Sequence, residues 1–235
     1  MQLKNKIALI TGASSGIGKE IAKKFAEEGA LVILTSRNPE KLKIAQEEIE
    51  KNNCNADSFV MDTTNRKQIN SVVSKIIKKY KKIDLLVNNA GIAKWNSIED
   101  VSYEEFDAQI SVNLTGYFNC IKEIVPYMLQ KKSGTIINIV SGSGKRARPG
   151  TVAYTASKFG AAGLSDAVFE DVQDKGINVT AIYPGRTNTP IHKIPENDPR
   201  RKTMLKTEEI AKLALYIATL PQNVKIKEIS IRPLE

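Results

Sequence analysis

Tyr154 and Lys158 stand four residues apart in a helical stretch, a spacing that places both side chains on one helix face. A phenol titrates near pH ~10, and a neighbouring ammonium favours its ionised form, bringing proton exchange closer to neutrality. Tyr154 could then act as a general acid or base. Tyr and Lys at this spacing are common on exposed helices, so the pair needs a setting. One is supplied by Thr11-Gly12-Ala13-Ser14-Ser15-Gly16-Ile17-Gly18, where an apolar run meets glycines that let backbone approach a ligand and a helix that aims its first amides at an anion. Glycine spacing alone also fits a tight turn. The segment is not a magnesium-binding phosphate loop, because Gly18-Lys19 is followed by Glu20 rather than Ser or Thr.

The elements that must position these groups alternate regularly. Ile7 to Thr11 is a strand, followed by a helical pattern through Ile21, Ala22 and Phe25 that stops at Gly29. The unit recurs: Leu31 to Thr35 then 39–51, Ser58 to Met61 then 65–80, Ile83 to Asn88 then 103–129, and Thr135 to Val140 then 153–174. Strands at Ile177 to Tyr183 and Lys225 to Ile231 flank a helix near 207–219. Strands made of continuous Ile, Val and Leu are those of a parallel sheet covered on both faces. The pattern predicts an α/β fold: one Rossmann-type domain over 1–235, a doubly wound parallel sheet of about seven strands. No linker divides the chain, and the Pro-containing stretch 186–206 reads as a lid over a site.

In such sheets ligands bind at the carboxyl ends of the strands. Three of those ends are polar here: Asn88-Asn89-Ala90-Gly91, Ser141-Gly142-Ser143-Gly144 and Tyr183-Pro184-Gly185-Arg186-Thr187-Asn188-Thr189. Each alone is an ordinary loop composition; together they read as a site.

Composition narrows the classes. With 235 residues, 41% hydrophobic and 26% charged, the chain has the makeup of a folded globular domain rather than a disordered one. Cys54 and Cys120 have no metal-type spacing and suggest no disulfide framework, so a reducing cytoplasm is the expected compartment and no metal is expected. No apolar run approaches the ~18 residues of a membrane span. The net charge of +9 favours anionic partners. Nucleic acid is the weakest of these, since no recognised module or aromatic platform accompanies the charge. His192, the sole histidine, lies in the Pro-containing stretch and makes a Ser-His-Asp triad improbable.

Thr11-Gly12-x-x-x-Gly16-Ile17-Gly18, Asn88-Asn89-Ala90-Gly91, Asn113, Ser141, Tyr154-x-x-x-Lys158 and Pro184-Gly185, in this order, together resemble the short-chain dehydrogenase/reductase family over about Lys4 to Thr189. The resemblance implies a catalytic tetrad of Asn113, Ser141, Tyr154 and Lys158. Tyr154 is its acid/base, Ser141 helps hold the substrate carbonyl, and Lys158 binds ribose and tunes Tyr154. Implied cofactor contacts are Gly12, Ser14, Ser15, Gly16, Ile17 and Gly18 in the first turn, and Asp62 and Thr63 at the adenine. Asn89, Gly91, Pro184, Gly185, Thr187 and Thr189, with Tyr154 and Lys158, complete them. At the end of the second strand, Thr35-Ser36-Arg37-Asn38 has no carboxylate to repel a 2′-phosphate and an Arg37 to bind one, which favours NADP(H) and leaves NAD(H) possible.

The implied activity is an NADP(H)-dependent interconversion of ketone and secondary alcohol (EC 1.1.1.-) by a homo-tetramer or dimer formed through the helices at 103–129 and 153–174. Ser143, Trp95 and His192 are expected at the substrate. Lys145, Arg146 and Arg148 lie between Ser141 and Tyr154, pointing to an anionic substrate or an acidic acyl carrier protein. The first 190 residues resemble 3-oxoacyl-[acyl-carrier-protein] reductases. The ending Lys227-Glu228-Ile229-Ser230-Ile231-Arg232-Pro233 departs from their glycine-rich one and looks more like the branch acting on 3-hydroxy acids. The substrate class is thus a 3-oxoacyl thioester or a 3-hydroxy or 3-keto acid. The reading from a different class is an idle NADP(H)-binding sensor or scaffold, against which Ser141, Tyr154 and Lys158 argue.

Overall fold

The computed structural model describes residues 1–195 and 197–234; Glu196, within the expected lid, and Glu235 lie outside the described residues. Strands β1 (Ile7–Thr11), β2 (Leu31–Ser36), β3 (Ala56–Val60), β4 (Leu85–Asn88), β5 (Gly134–Ile139), β6 (Ile177–Pro184) and β7 (Glu228–Ile231) form one sheet among the described residues. Its order is β3-β2-β1-β4-β5-β6-β7, and every pairing is parallel. The chain winds outward from β1 to β3, returns to place β4 against the other side of β1, and continues outward. That reversal opens a crevice above the carboxyl ends of β1 and β4.

Helices α1 (Gly16–Glu27), α2 (Pro39–Glu50) and α7 (Thr207–Ala218) cover one face of the sheet. Ile21, Phe25, Leu42, Ile210 and Ala214 pack there on Ala8, Ile10, Val32 and Leu34. Helices α3 (Arg66–Tyr80), α4 (Tyr103–Ile110), α5 (Gly116–Lys131) and α6 (Val152–Val172) belong to the other side, where Ile69, Val73, Ile76, Ile124 and Met128 cover Leu9, Ile33, Leu86 and Ile136. Odd and even positions of β1 and β2 thus enter different cores, the period-2 geometry of a strand buried on both faces.

Local chemistry sets the helix starts. Asn38, Asn65 and Ser102 accept the amides of Lys41, Gln68 and Glu105 at 2.8, 3.1 and 3.2 Å, and Pro39 sits where its missing N–H costs nothing. Gly29, at φ +88°, turns the chain from α1 into β2.

Several boundaries differ from the periodicity reading, three of them with a bearing on the site or the sheet edges. The expected helix over 103–129 is α4 and α5 joined by a π-helical segment, Ser111–Thr115, that seats buried Asn113. Strand β3 begins at Ala56 and ends before Met61, because its edge position leaves it only half buried and its apolar pattern is weak. Strand β7 occupies only the last part of the expected 225–231.

Phe25 is fully buried under the sheet, and Phe25→Ala should cost about 3–5 kcal/mol. Chemical denaturation should read this as a lower midpoint at unchanged slope; a loss below 1 kcal/mol would show that the α1 face is not close-packed.

Candidate active site

The strand ends surround a continuous cleft of about 1420 Å³. At one end lies the β1–α1 turn. Gly12 is at φ +65°, and a Cβ there would come 2.8 Å from the Ala90 Cα; Gly16, at φ +56°, sits against Thr189. The Thr11 hydroxyl accepts the amides of Asn89 and Ala90 at 3.0 and 3.1 Å, and the Asn89 carboxamide donates to the carbonyls of Thr11 and Gly12 at 3.0 and 3.1 Å. The β4 end therefore holds the glycine turn in place. Ser14, Ser15, Ile17 and Gly91 join Gly12, Gly16 and Asn89 on the cleft wall. Gly18 does not: it lies behind the turn, where a side chain would collide with the Asn89 amide.

Arg37, Asp62 and Thr63 line the cleft at the ends of β2 and β3. The Asp62 carboxylate accepts from the amide and hydroxyl of Thr64, both at 2.8 Å, which turns the chain after β3. Lys41 lines the same end, one helical turn from Arg37. The sequence reading passed over Lys41; its place in the first turn of α2, just past Arg37, was the available signal.

At the other end Tyr154 and Lys158 rise from α6 beneath Ser141, which follows β5. Ser141 sits at φ 154°, ψ 156°, a sparsely populated conformation, and its hydroxyl accepts the Ser143 amide at 3.1 Å. Tyr154 and Lys158 are 7% and 3% exposed. The Lys158 ammonium donates to the Ile139 carbonyl at 3.1 Å and to the Tyr117 hydroxyl at 3.4 Å, and lies 5.9 Å from the centre of the Tyr154 ring. Burial pushes the Tyr154 phenol above its ordinary value while the Ser141 side chain draws it back, and burial brings Lys158 down to about 7. Within the protein alone, desolvation therefore outweighs the help that the lysine was expected to give the phenol.

Asn113 lies behind the cleft wall. Its carboxamide accepts the Ile92 amide and donates to the Ile92 carbonyl, both at 2.9 Å, and donates to the Ser157 hydroxyl at 3.0 Å. It thus ties the loop after β4 to α6. Pro184, Gly185, Thr187 and Thr189 line the cleft beyond β6, where the Gly185 amide bonds to the Ile231 carbonyl at 2.7 Å.

The expected substrate residues Ser143, Trp95 and His192 also meet the cleft. The Trp95 ring meets the Tyr154 ring at 4.9 Å in a T-shaped contact, and the His192 ring stacks on Trp95 at 6.3 Å. Burial lowers the His192 pKa, and Arg186 and Arg201 add to the effect. The two ends of the 186–206 stretch are held to each other by paired bonds, Asn188 N–H to the Leu205 carbonyl at 2.8 Å and Leu205 N–H to the Arg186 carbonyl at 2.9 Å.

Of the basic cluster, Arg146 and Arg148 line the cleft but Lys145 does not. Its ammonium pairs with Glu228 at 2.6 Å and lies over the Tyr183 ring, because β7 brings a carboxylate beside it. The sequence reading missed Arg186 and Arg232 as cleft cations. Arg232 arrives with Pro233 and Leu234 through the fold of the chain end over Gly185, which no local pattern announces.

Because the Lys158 pKa is near 7 when folded, the unfolded chain binds more protons between pH about 7 and the ordinary lysine value. Lys158 therefore opposes folding fully below pH 7, and this penalty fades as pH rises toward about 10. Without added nucleotide, Lys158→Met should raise the denaturation midpoint most at or below about pH 7 and little near pH 10. An equal change across that range would refute the burial penalty.

The model of the short chain dehydrogenase family matches residues 6–199. The 3-oxoacyl-[acyl-carrier-protein] reductase of Thermotoga maritima is 39% identical over 229 residues, covering 93% of this chain and 92% of its own. An uncharacterised oxidoreductase of Staphylococcus saprophyticus is 33% identical over the full length of both chains. Among solved structures, a metagenomic short-chain oxidoreductase in complex with NADP superposes with a TM-score of 0.88 at 31% identity, covering 100% of both chains. With the motif order, the sheet topology and the Ser141, Tyr154 and Lys158 grouping in agreement, the chain is an oxidoreductase belonging to the short-chain dehydrogenase family.

Proposed function

We propose that the chain interconverts a ketone and a secondary alcohol with NADP(H). The observation that carries this reading is the grouping of Ser141, Tyr154 and Lys158 in a cleft continuous with the glycine turn. The cleft suits a dinucleotide: a Cβ at Gly12 would meet backbone, and α1 starts on the cleft wall, where the first amides of a helix favour an anion. Gly12, Ser14, Ser15, Gly16 and Ile17 would hold the pyrophosphate, Arg37 and Lys41 a 2′-phosphate, and Asp62 and Thr63 the adenine. Lys158 would take the ribose, with Asn89, Gly91, Pro184, Gly185, Thr187 and Thr189 as further contacts and Gly18 shaping the turn. The complex of the metagenomic relative with NADP supports this choice. When bound, the nicotinamide supplies or accepts hydride.

In reduction, Ser141 and Tyr154 hydrogen-bond the carbonyl oxygen, and Tyr154 gives it a proton as the carbon gains hydride. The Lys158 ammonium favours the phenolate left behind, and Asn113 keeps the loop after β4 against α6. Trp95, His192 and Ser143 bound the substrate, with 186–206 as its lid. Arg146, Arg148, Arg186 and Arg232 favour an anionic carbonyl compound, either a 3-oxoacyl thioester or a 3-keto acid. The name of the Thermotoga maritima relative favours the thioester and an acidic acyl carrier. Exposed Tyr103, Phe106, Phe118 and Phe159 on α4, α5 and α6 suit a homo-oligomer, and the cytoplasm is the expected compartment.

NADPH absorbance followed against acetoacetyl thioesters, 3-keto acids and neutral ketones should reveal turnover that Tyr154→Phe lowers by about 10²–10⁴-fold with NADPH binding kept. Binding with no turnover of any carbonyl would sink the enzyme reading. Arg37→Ala should reduce the preference for NADPH over NADH by roughly 10–100-fold; an unchanged ratio would place the 2′-phosphate elsewhere.

A further inference from the structure

Tyr117 is 1% exposed, in the first turn of α5, and the proposed chemistry does not use it. Its hydroxyl donates to the Ile139 carbonyl at 2.7 Å and receives the Lys158 ammonium at 3.4 Å. Lys158 donates to the same carbonyl, so three groups from α5, α6 and β5 close a small triangle two residues before Ser141. The ammonium also lies 5.1 Å from the centre of the Tyr117 ring. Burial holds the Tyr117 phenol well above its ordinary value, with Tyr154 adding to this, so it remains a neutral donor and acceptor. The ionisable groups around the triangle are Tyr154, one turn before Lys158 on α6, and Cys120 beside Tyr117 on α5, whose thiol burial pushes up to about 12. No carboxylate bonds to Lys158 among the described residues, which leaves the Ile139 carbonyl and the Tyr117 hydroxyl as its hydrogen-bond acceptors.

We propose that Tyr117 is a positioning residue: its hydroxyl, shared between the Ile139 carbonyl and Lys158, holds the ammonium beneath Tyr154 and keeps it charged during turnover. This rests on the oxidoreductase reading above. A hydroxyl that accepts from an ammonium favours the charged form, and its loss should lower the pH at which Lys158 gives up its proton. The alkaline limb of the rate belongs to the Tyr154 and Lys158 pair, since both must keep their protons for reduction.

Tyr117→Phe keeps the ring and removes only the acceptor. Its alkaline limb in kcat should move toward acid by about one pH unit relative to wild type. Its NADPH affinity, read by cofactor fluorescence and so independent of turnover, should begin to weaken with rising pH about one unit earlier than that of wild type, in which Lys158 loses its proton near pH 7. Tyr117→Leu, a second variant without the hydroxyl, should show the same displacement. Packing loss alone would lower the melting temperature and scale the rate equally at every pH; that result, or limbs superimposed on wild type, overturns the role of Tyr117. A wild type that binds no NADPH and reduces no carbonyl overturns the functional reading itself, and this role with it.

Discussion

The Lys158 ammonium is buried with one backbone carbonyl and one phenol as its hydrogen-bond partners, and much of the surrounding structure follows from keeping it there. An unpaired buried charge is expensive, and a lysine so placed responds by lowering its pKa. The site keeps it through close approach. A Cβ at Gly144 would come 2.9 Å from the Lys158 carbonyl, and one at Gly160 would come 2.6 Å from Leu114. Glycine at both positions lets α6 lie against the turn after β5 and against the π-helical segment. Stability is given up locally where the Lys158 ammonium lies buried beside Tyr154 at the end of the sheet.

Around this charge the supports are neutral amides and hydroxyls. Asn88 donates to Asn138 at 2.9 Å and Asn138 to Ser165 at 3.0 Å, a buried chain that links β4, β5 and α6. Asn113 and Asn89 perform comparable tasks at the loop after β4. Such side chains fix geometry without adding a charge that would compete with the ammonium, and a missing partner would leave a costly unpaired group. The widening of α4–α5 to a π-helix fits the same scheme, because it seats Asn113 where both backbone groups of Ile92 can reach it.

The sheet was legible because its central strands are apolar runs closed by glycines, and the meeting of Tyr154, Lys158 and Ser141 in one cleft because they keep a recognisable spacing. What escaped is set by contacts between distant segments. Lys145 reads as a cleft cation until β7 brings Glu228 beside it, and Arg232 reads as a tail residue until the chain end folds over Gly185. The widening between α4 and α5 is marked locally only by Gly116 just after it, and the Asn113 side chain that it seats bonds across to Ile92, a contact between distant segments. Tyr117 looks like one more core aromatic, and only the Ile139 carbonyl and the Lys158 ammonium at its hydroxyl distinguish it.

The most direct test of hydride transfer in this cleft is NADPH carrying deuterium at both C4 positions of the nicotinamide, turned over with the best carbonyl substrate, with the product analysed by mass spectrometry. Hydride transfer in this cleft predicts one deuterium on the carbinol carbon, with labelled product from Tyr154→Phe formed about 10²–10⁴-fold more slowly. An unlabelled alcohol, or oxidation of NADPH with the carbonyl unchanged, would contradict it.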